Sequence, residues 1–275
     1  MKRLFGKIAF AAVALLMAFV MVQCNKTDDS SANITTTSYK TSSLDSYNYV
    51  SPAEEAIIAE NGSDGIEEII ACIYTCVNAM PVEELSAEEV ETITFVREEE
   101  LLAHDVYLAM YDLYHVPVFN NIANSEFIHT TAIKALIEKY ELPDPAAEHV
   151  QGVFTNPDIQ ALYDALVDQG AGSFQDALVV GATIEDVDIW DLITHLAEDI
   201  DNADITYILS NLYKGSRNHM RAFNAHLTFQ GLTYTPQYIS QELFDQIIST
   251  PWEVGNGFCL CQYNYTEVTK KIVNE

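Results

Sequence analysis

Four stretches of this chain set carboxylates and imidazoles into apolar stripes, the setting in which those residue types bind divalent cations. The stripes repeat at alternating three- and four-residue spacing, the period of a helix face turned to a bundle core. The first carries Ile93, Val96, Glu100, Ala103 and Tyr107, and the second Ile122, Glu126, His129 and Ile133. The third carries Leu178, Gly181, Glu185, Asp188 and Leu192, and the fourth Leu212, Ser216, His219 and Phe223. Glu126 and His129 stand three apart, so both project from one face and can grip one ion; Glu185 and Asp188 do the same. No Lys or Arg stands on a stripe to pair with these acids. An unpaired buried carboxylate costs several kcal/mol even after relaxation, whereas two divalent cations neutralise four such charges. Oxygen and imidazole donors together suit iron, manganese or zinc.

Taken singly, each feature has a plainer reading. An isolated E-x-x-H is more often a surface pair, and one Glu or His in a stripe is more often a hydrogen-bonded core group. The coincidence carries the metal reading. The interruptions fall near the middle of all four helices, which are centred close to Glu100, His129, Glu185 and, for the fourth, Arg217, so side-by-side packing brings the interruptions to one level. Periodicity does not separate Glu100 from Glu99, because Phe95, Glu99, Leu102 and Val106 form a second stripe. His104 falls off the stripe and is expected at the surface, His195 and His226 lie two turns from the centre, and Tyr107 reads as packing.

The elements that must position these groups are helices. Ser86 with Glu89 forms a capping box that opens a helix running to about Tyr114, before Pro117. A second runs from about Val118 to Tyr140, before Pro143. A long connection, about 141–172, contains a short helix opened by Asn156-Pro157 and closed by Gly170. A third long helix starts at Ser173, capped with Asp176, and runs to about Asp199. A fourth runs from about Asp204 to Gln230 and stops at Gly231. Residues 53–60 and 65–79 read as short accessory helices, and a further short helix precedes the irregular end of the chain. No stretch alternates like a half-buried strand, so the fold class is all-α.

Of 275 residues, 41 are Asp or Glu and 13 are Lys or Arg, a formal net charge of -28 that repels nucleic acid. Lys2, Arg3 and Lys7 precede an apolar run from Ile8 to Val22, too short for a comfortable membrane span and suited to a signal-peptide core. Cys24 directly follows Gln23 and precedes a polar stretch, which resembles the lipidation site of bacterial lipoproteins, although Gln23 stands where a small residue is usual. The expected organisation is a signal peptide over 1–23, a flexible tether over 24–50, an accessory helical segment over 51–84, the bundle over 85–230 and a tail over 231–275. Export makes disulfides among Cys72, Cys76, Cys259 and Cys261 plausible on their even number. A four-thiolate zinc site and reduced thiols are the alternatives.

The runs FVREEELLAHDVYLAMYDLY, NIANSEFIHTTAIKALIEKYELPDP, GVFTNPDIQALYDALVDQG, VGATIEDVDIWDL and LYKGSRNHMRAF resemble an uncharacterised ferritin-like family, domain of unknown function 2202, over about residues 85–230. More broadly they resemble rubrerythrins, ferritins and other di-iron carboxylate bundles. The resemblance implies a ferritin-like four-helix bundle with a long crossover between its second and third helices. It implies Glu100, rather than Glu99, as the first-helix ligand, then Glu126 and His129, Glu185 with Asp188 as an extra carboxylate, and His219. Ser216 stands where the pattern has a bridging Glu, which leaves the second ion dependent on Glu185, Asp188 and His219.

The resulting expectation is an exported, lipid-anchored protein of the cell envelope that binds iron, as one ion or two, with ferroxidase or peroxidase-like chemistry under oxidative stress. The expected partners are metal ions and the membrane at the lipid anchor, with a homodimer compatible and a cage not. The competing expectations are a metal-binding or sensing module without turnover, and a structural lipoprotein whose central acids share protons with the histidines.

Overall fold

The structure, a computed structural model, describes residues 63–253 apart from residue 199. The expected signal peptide, tether and Cys24, the helix at 53–60, and Cys259 and Cys261 lie outside these residues. Among the described residues there are seven α-helices and no strand. They are α1 (Ser63–Ala79), α2 (Ala87–Tyr114), α3 (Pro117–Lys139), α4 (Pro157–Gly170), α5 (Phe174–Glu198), α6 (Ala203–Phe229) and α7 (Gln241–Ser249).

Local chemistry sets these boundaries. Ser86 Oγ accepts from the Glu89 amide at 3.0 Å and Glu89 Oε2 accepts from the Ser86 amide at 2.9 Å, which satisfies two otherwise orphaned donors at the start of α2. The other Glu89 oxygen accepts from the Asn202 amide at 3.1 Å, tying the start of α6 to the start of α2. His115 takes a left-handed φ of 54° at the end of α2 and redirects the chain into Pro117, which occupies the first turn of α3. Asn156 caps α4 and Ser173 caps the start of α5. Gly231, at φ 79°, closes α6 in a conformation that disfavours a side chain.

Two helical hairpins form the body of the fold. α2 packs along α3 and α5 along α6, while α3 meets α6 and α2 meets α5. The connection between the hairpins carries α4, which lies against α2 and α5; α1 covers α3 and α7 packs on α6. The buried apolar residues fall into two clusters. One surrounds Tyr107, Phe119, Phe174 and Phe223, the other Ile73, Ile93, Ile133 and Leu212. On α2 the second cluster ends at Val96 and the first begins at Leu101; on α6 the break lies between Leu212 and Met220. The acids and imidazoles singled out by the stripes occupy the layer between.

Candidate metal centre

Each long helix delivers one or two polar side chains to that layer. Glu100 comes from α2, Glu126 and His129 from α3, Glu185 from α5 and His219 from α6, and none is more than 4% exposed. They form two groups, Glu100, Glu126 and His129 in one and Glu126, Glu185 and His219 in the other, each offering three ligand atoms within 4.8 Å of one another. Glu126 belongs to both. Its Oε2 lies 2.7 Å from His129 Nδ1 and its Oε1 lies 2.9 Å from His219 Nδ1. Glu100 Oε2 lies 3.2 Å from His129 Nδ1, and Glu185 Oε2 lies 3.4 Å from His219 Nδ1. The two imidazole rings stack with centroids 5.4 Å apart.

Proximity here is not satisfaction. Both Glu126 oxygens, Glu185 Oε2 and His219 Nδ1 are fully buried at ion-pair distances yet lack hydrogen-bond geometry to any neighbour among the described residues. Buried polar atoms are rarely left so. Three carboxylates and two imidazoles with orphaned donor atoms converging on one dry layer fit a divalent metal.

Electrostatics follow from the same packing. Burial pushes Glu100 up to about 8, against the pull of His129, and Glu185 up to about 7, against that of His219. Burial also acts on Glu126, but His219 and His129 outweigh it and hold the carboxylate well below its usual range. Burial would depress the imidazoles; Glu126 and Glu185 instead raise His219 to about 9, and Glu126 and Glu100 raise His129 well above its ordinary value. Without metal, protonated imidazoles therefore supply the positive charge of the layer.

Several neighbours hold the donors in place. Tyr107 donates its hydroxyl to Glu185 Oε1 at 2.5 Å, so the phenol read as packing touches the site. Ser125 Oγ and His219 Nε2 are 2.9 Å apart, which turns the other ring nitrogen toward Glu126. The stripes missed Ser125, although it stands one turn before His129 on the same face. Gly215 lies beneath His129: a Cβ there would stand 2.5 Å from both Cε1 and Nε2 of the ring. Ser216, where the di-iron pattern has a carboxylate, donates its hydroxyl to the Leu212 carbonyl at 3.1 Å.

The structure also places the remaining candidates. Asp188 is buried but stands outside both groups. Glu99 does not enter the centre; it faces α5, where it meets Asp191. His104, expected at the surface, is mostly covered, because buried Asp105 accepts from it at 2.8 Å while also meeting His149 Nε2 at 3.0 Å and the Gly152 amide at 2.6 Å. His195 Nδ1 lies 3.1 Å from Thr92 Oγ1. His226 is buried away from the centre, and burial pushes it down to about 4. Of the four cysteines named for bridges, Cys72 is half-buried and Cys76 buried on α1.

Residues 89–251 match the family described as an uncharacterised protein domain, DUF2202. This chain belongs to that family. The DUF2202 protein is 49% identical over 179 residues to the uncharacterised protein MJ0754 of Methanocaldococcus jannaschii, a match covering 65% of this chain and 96% of the relative. It is also similar to the crystal structure of hypothetical protein MJ0754 from Methanococcus jannaschii, with 50% sequence identity and a TM-score of 0.62 over 63% of this chain and 99% of that one. The family match takes in the five residues of the two ligand groups and extends to α7.

Proposed function

We propose that this DUF2202 protein is a lipid-anchored metal-binding protein of the cell envelope, related to the ferritin-like di-iron carboxylate proteins, which holds iron at Glu100, Glu126, His129, Glu185 and His219. The observation that carries this reading is the pair of buried ligand groups sharing Glu126, drawn from four helices and left with unsatisfied donor atoms. The two hairpins with a long connection carrying α4 support the ferritin-like relationship. Manganese and zinc suit the same donors. Bound iron would supply ferroxidase or peroxidase-like redox chemistry in defence against oxidative stress.

The chain's own residues define the conditions for that chemistry. The apolar clusters above and below the layer exclude water. Ser125 orients His219 and Tyr107 orients Glu185. Binding of a cation requires the protons on Glu100, His129 and His219 to leave, so affinity rises with pH. For anchoring, the basic start, the apolar run over 8–22 and Cys24 support a lipidated N-terminus. Cys24→Ala should move the protein out of the membrane fraction.

The deciding experiment is metal analysis of protein lacking residues 1–24, expressed with iron available. We expect bound iron and oxygen-dependent iron oxidation, both lost in Glu126→Ala; unchanged activity in that variant overturns the reading. A second reading, metal binding without turnover, is favoured by the hydroxyl of Ser216 in place of a carboxylate; it gives bound metal with no oxidation above buffer. No metal after purification, and no rise in melting temperature on adding iron, manganese or zinc, leaves a structural protein whose central acids share protons with the histidines.

A further inference from the structure

Three buried carboxylates stand beside the centre without serving it. Asp188 is 4% exposed and Glu99 and Asp191 are each 5% exposed. Among the described residues, no Lys or Arg forms an ion pair with any of them. Glu99 Oε1 and Asp191 Oδ2 are fully buried, and the two side chains are hydrogen-bonded to each other. Pairing acid to acid brings the seam no positive charge from Lys or Arg.

Their arrangement is linear. On α5, Glu185, Asp188, Asp191 and His195 follow at spacings of three, three and four residues, so they share one side of the helix and advance about 5 Å per step. On α2, Thr92, Phe95 and Glu99 share the side that meets α5. Thr92 Oγ1 touches His195 Nδ1, the Phe95 and His195 rings are 6.5 Å apart, and Glu99 reaches Asp191. The seam between α2 and α5 thus carries a row of oxygens from Glu185, inside the centre, to His195, which is only half-buried. The two metal-type groups among the described residues are both in the centre itself, so no step of the row gathers three donors. A cation meets successive oxygens there but no cage that would trap it.

We propose that the α2–α5 seam is the entry route of the centre, along which Asp191, Glu99 and Asp188 pass a divalent cation from the end at His195 to Glu185. This rests on the metal-binding reading above. A cation entering an apolar bundle must exchange its water ligands for other oxygens, and carboxylates one helical turn apart, none of them held by a Lys or Arg, provide them. The acidic surface concentrates cations at the mouth.

Loading kinetics test this. Metal-free full-length protein in detergent is mixed with Co²⁺, the ligand-field absorption is followed by stopped flow, and bound cobalt is counted at the end. We expect Glu99→Gln and Asp191→Asn each to slow loading about tenfold, with the final cobalt content and spectrum those of the wild type. Wild-type loading rates in both variants overturn the route and leave the metal centre standing. A changed spectrum or cobalt count also overturns it, since the acids would then be ligands. Absence of cobalt uptake by the wild type removes the metal-binding reading and the route together. Circular dichroism checks folding, and if one variant fails to fold the other decides.

Discussion

At Glu126 each carboxylate oxygen faces a different imidazole, and this sharing governs how the centre titrates. Glu100 keeps its proton to about 8 in the fold but releases it near 4.5 when unfolded; His219 keeps its proton to about 9 against 6.5. In both cases the native state holds more protons than the unfolded chain, so stability falls as pH rises. The windows are 4.5 to about 8 for Glu100 and 6.5 to about 9 for His219. Glu126 works the other way, stabilising above the ordinary carboxylate range and losing that contribution only in acid. The melting temperature of metal-free protein should therefore drop between pH 7 and 9 in a thermal scan, and bound metal, which displaces those protons, should flatten the drop. Tyr107→Phe removes the hydrogen bond to Glu185 and should weaken metal binding about 10- to 100-fold by competition titration, with little change in fold.

At the scale of elements, glycines and caps decide how closely the helices approach. Gly215 lets α6 pass under the His129 ring, and Gly181 lets α5 pass beside Phe223, where a Cβ would stand 2.3 Å from the ring. Overpacking of this kind costs about 1–3 kcal/mol. Gly215→Ala should show that loss in denaturant unfolding together with reduced metal content, because it displaces a donor; Gly181→Ala should lose stability alone. A different device secures the stretch between α6 and α7. Asp186, buried on α5 beside Glu185, accepts from the Tyr234 hydroxyl at 2.9 Å, the Gln237 amide at 2.5 Å and the Ile239 amide at 2.9 Å. Asp186→Ala leaves those donors unpaired, and limited proteolysis should then cut between residues 231 and 240 while the wild type resists.

For the molecule as a whole, charge sets the terms. A formal net charge of -28 makes the folded state repel itself, and salt screens that repulsion over about 10 Å at 0.1 M. The melting temperature should rise as sodium chloride increases from low to physiological concentration; a fall would show that favourable pairs such as Arg97 with Asp144 and Lys139 with Asp204 dominate instead. No helix among the described residues is long and apolar enough to cross a membrane.

Much of this protein was legible in one dimension. The all-α class and the four long helices follow from three- and four-residue periodicity and from Ser86, Asn156, Ser173 and Gly231, because caps and apolar faces act within one or two turns. The convergence of Glu100, Glu126, His129, Glu185 and His219 was legible too, since mid-helix positions of similar helices meet when hairpins pack side by side. Periodicity left Glu99 and Glu100 open and the family resemblance chose Glu100; the packing puts Glu100 in the layer and turns Glu99 to α5, because adjacent residues differ by a rotation that neighbouring helices, not the periodicity, resolve. The same holds for Asp188, which periodicity put beside Glu185 but packing placed outside both ligand groups. Ser125, Tyr107 and Gly215 acquire their roles solely from what faces them across the bundle, and a linear sequence carries no record of that distance.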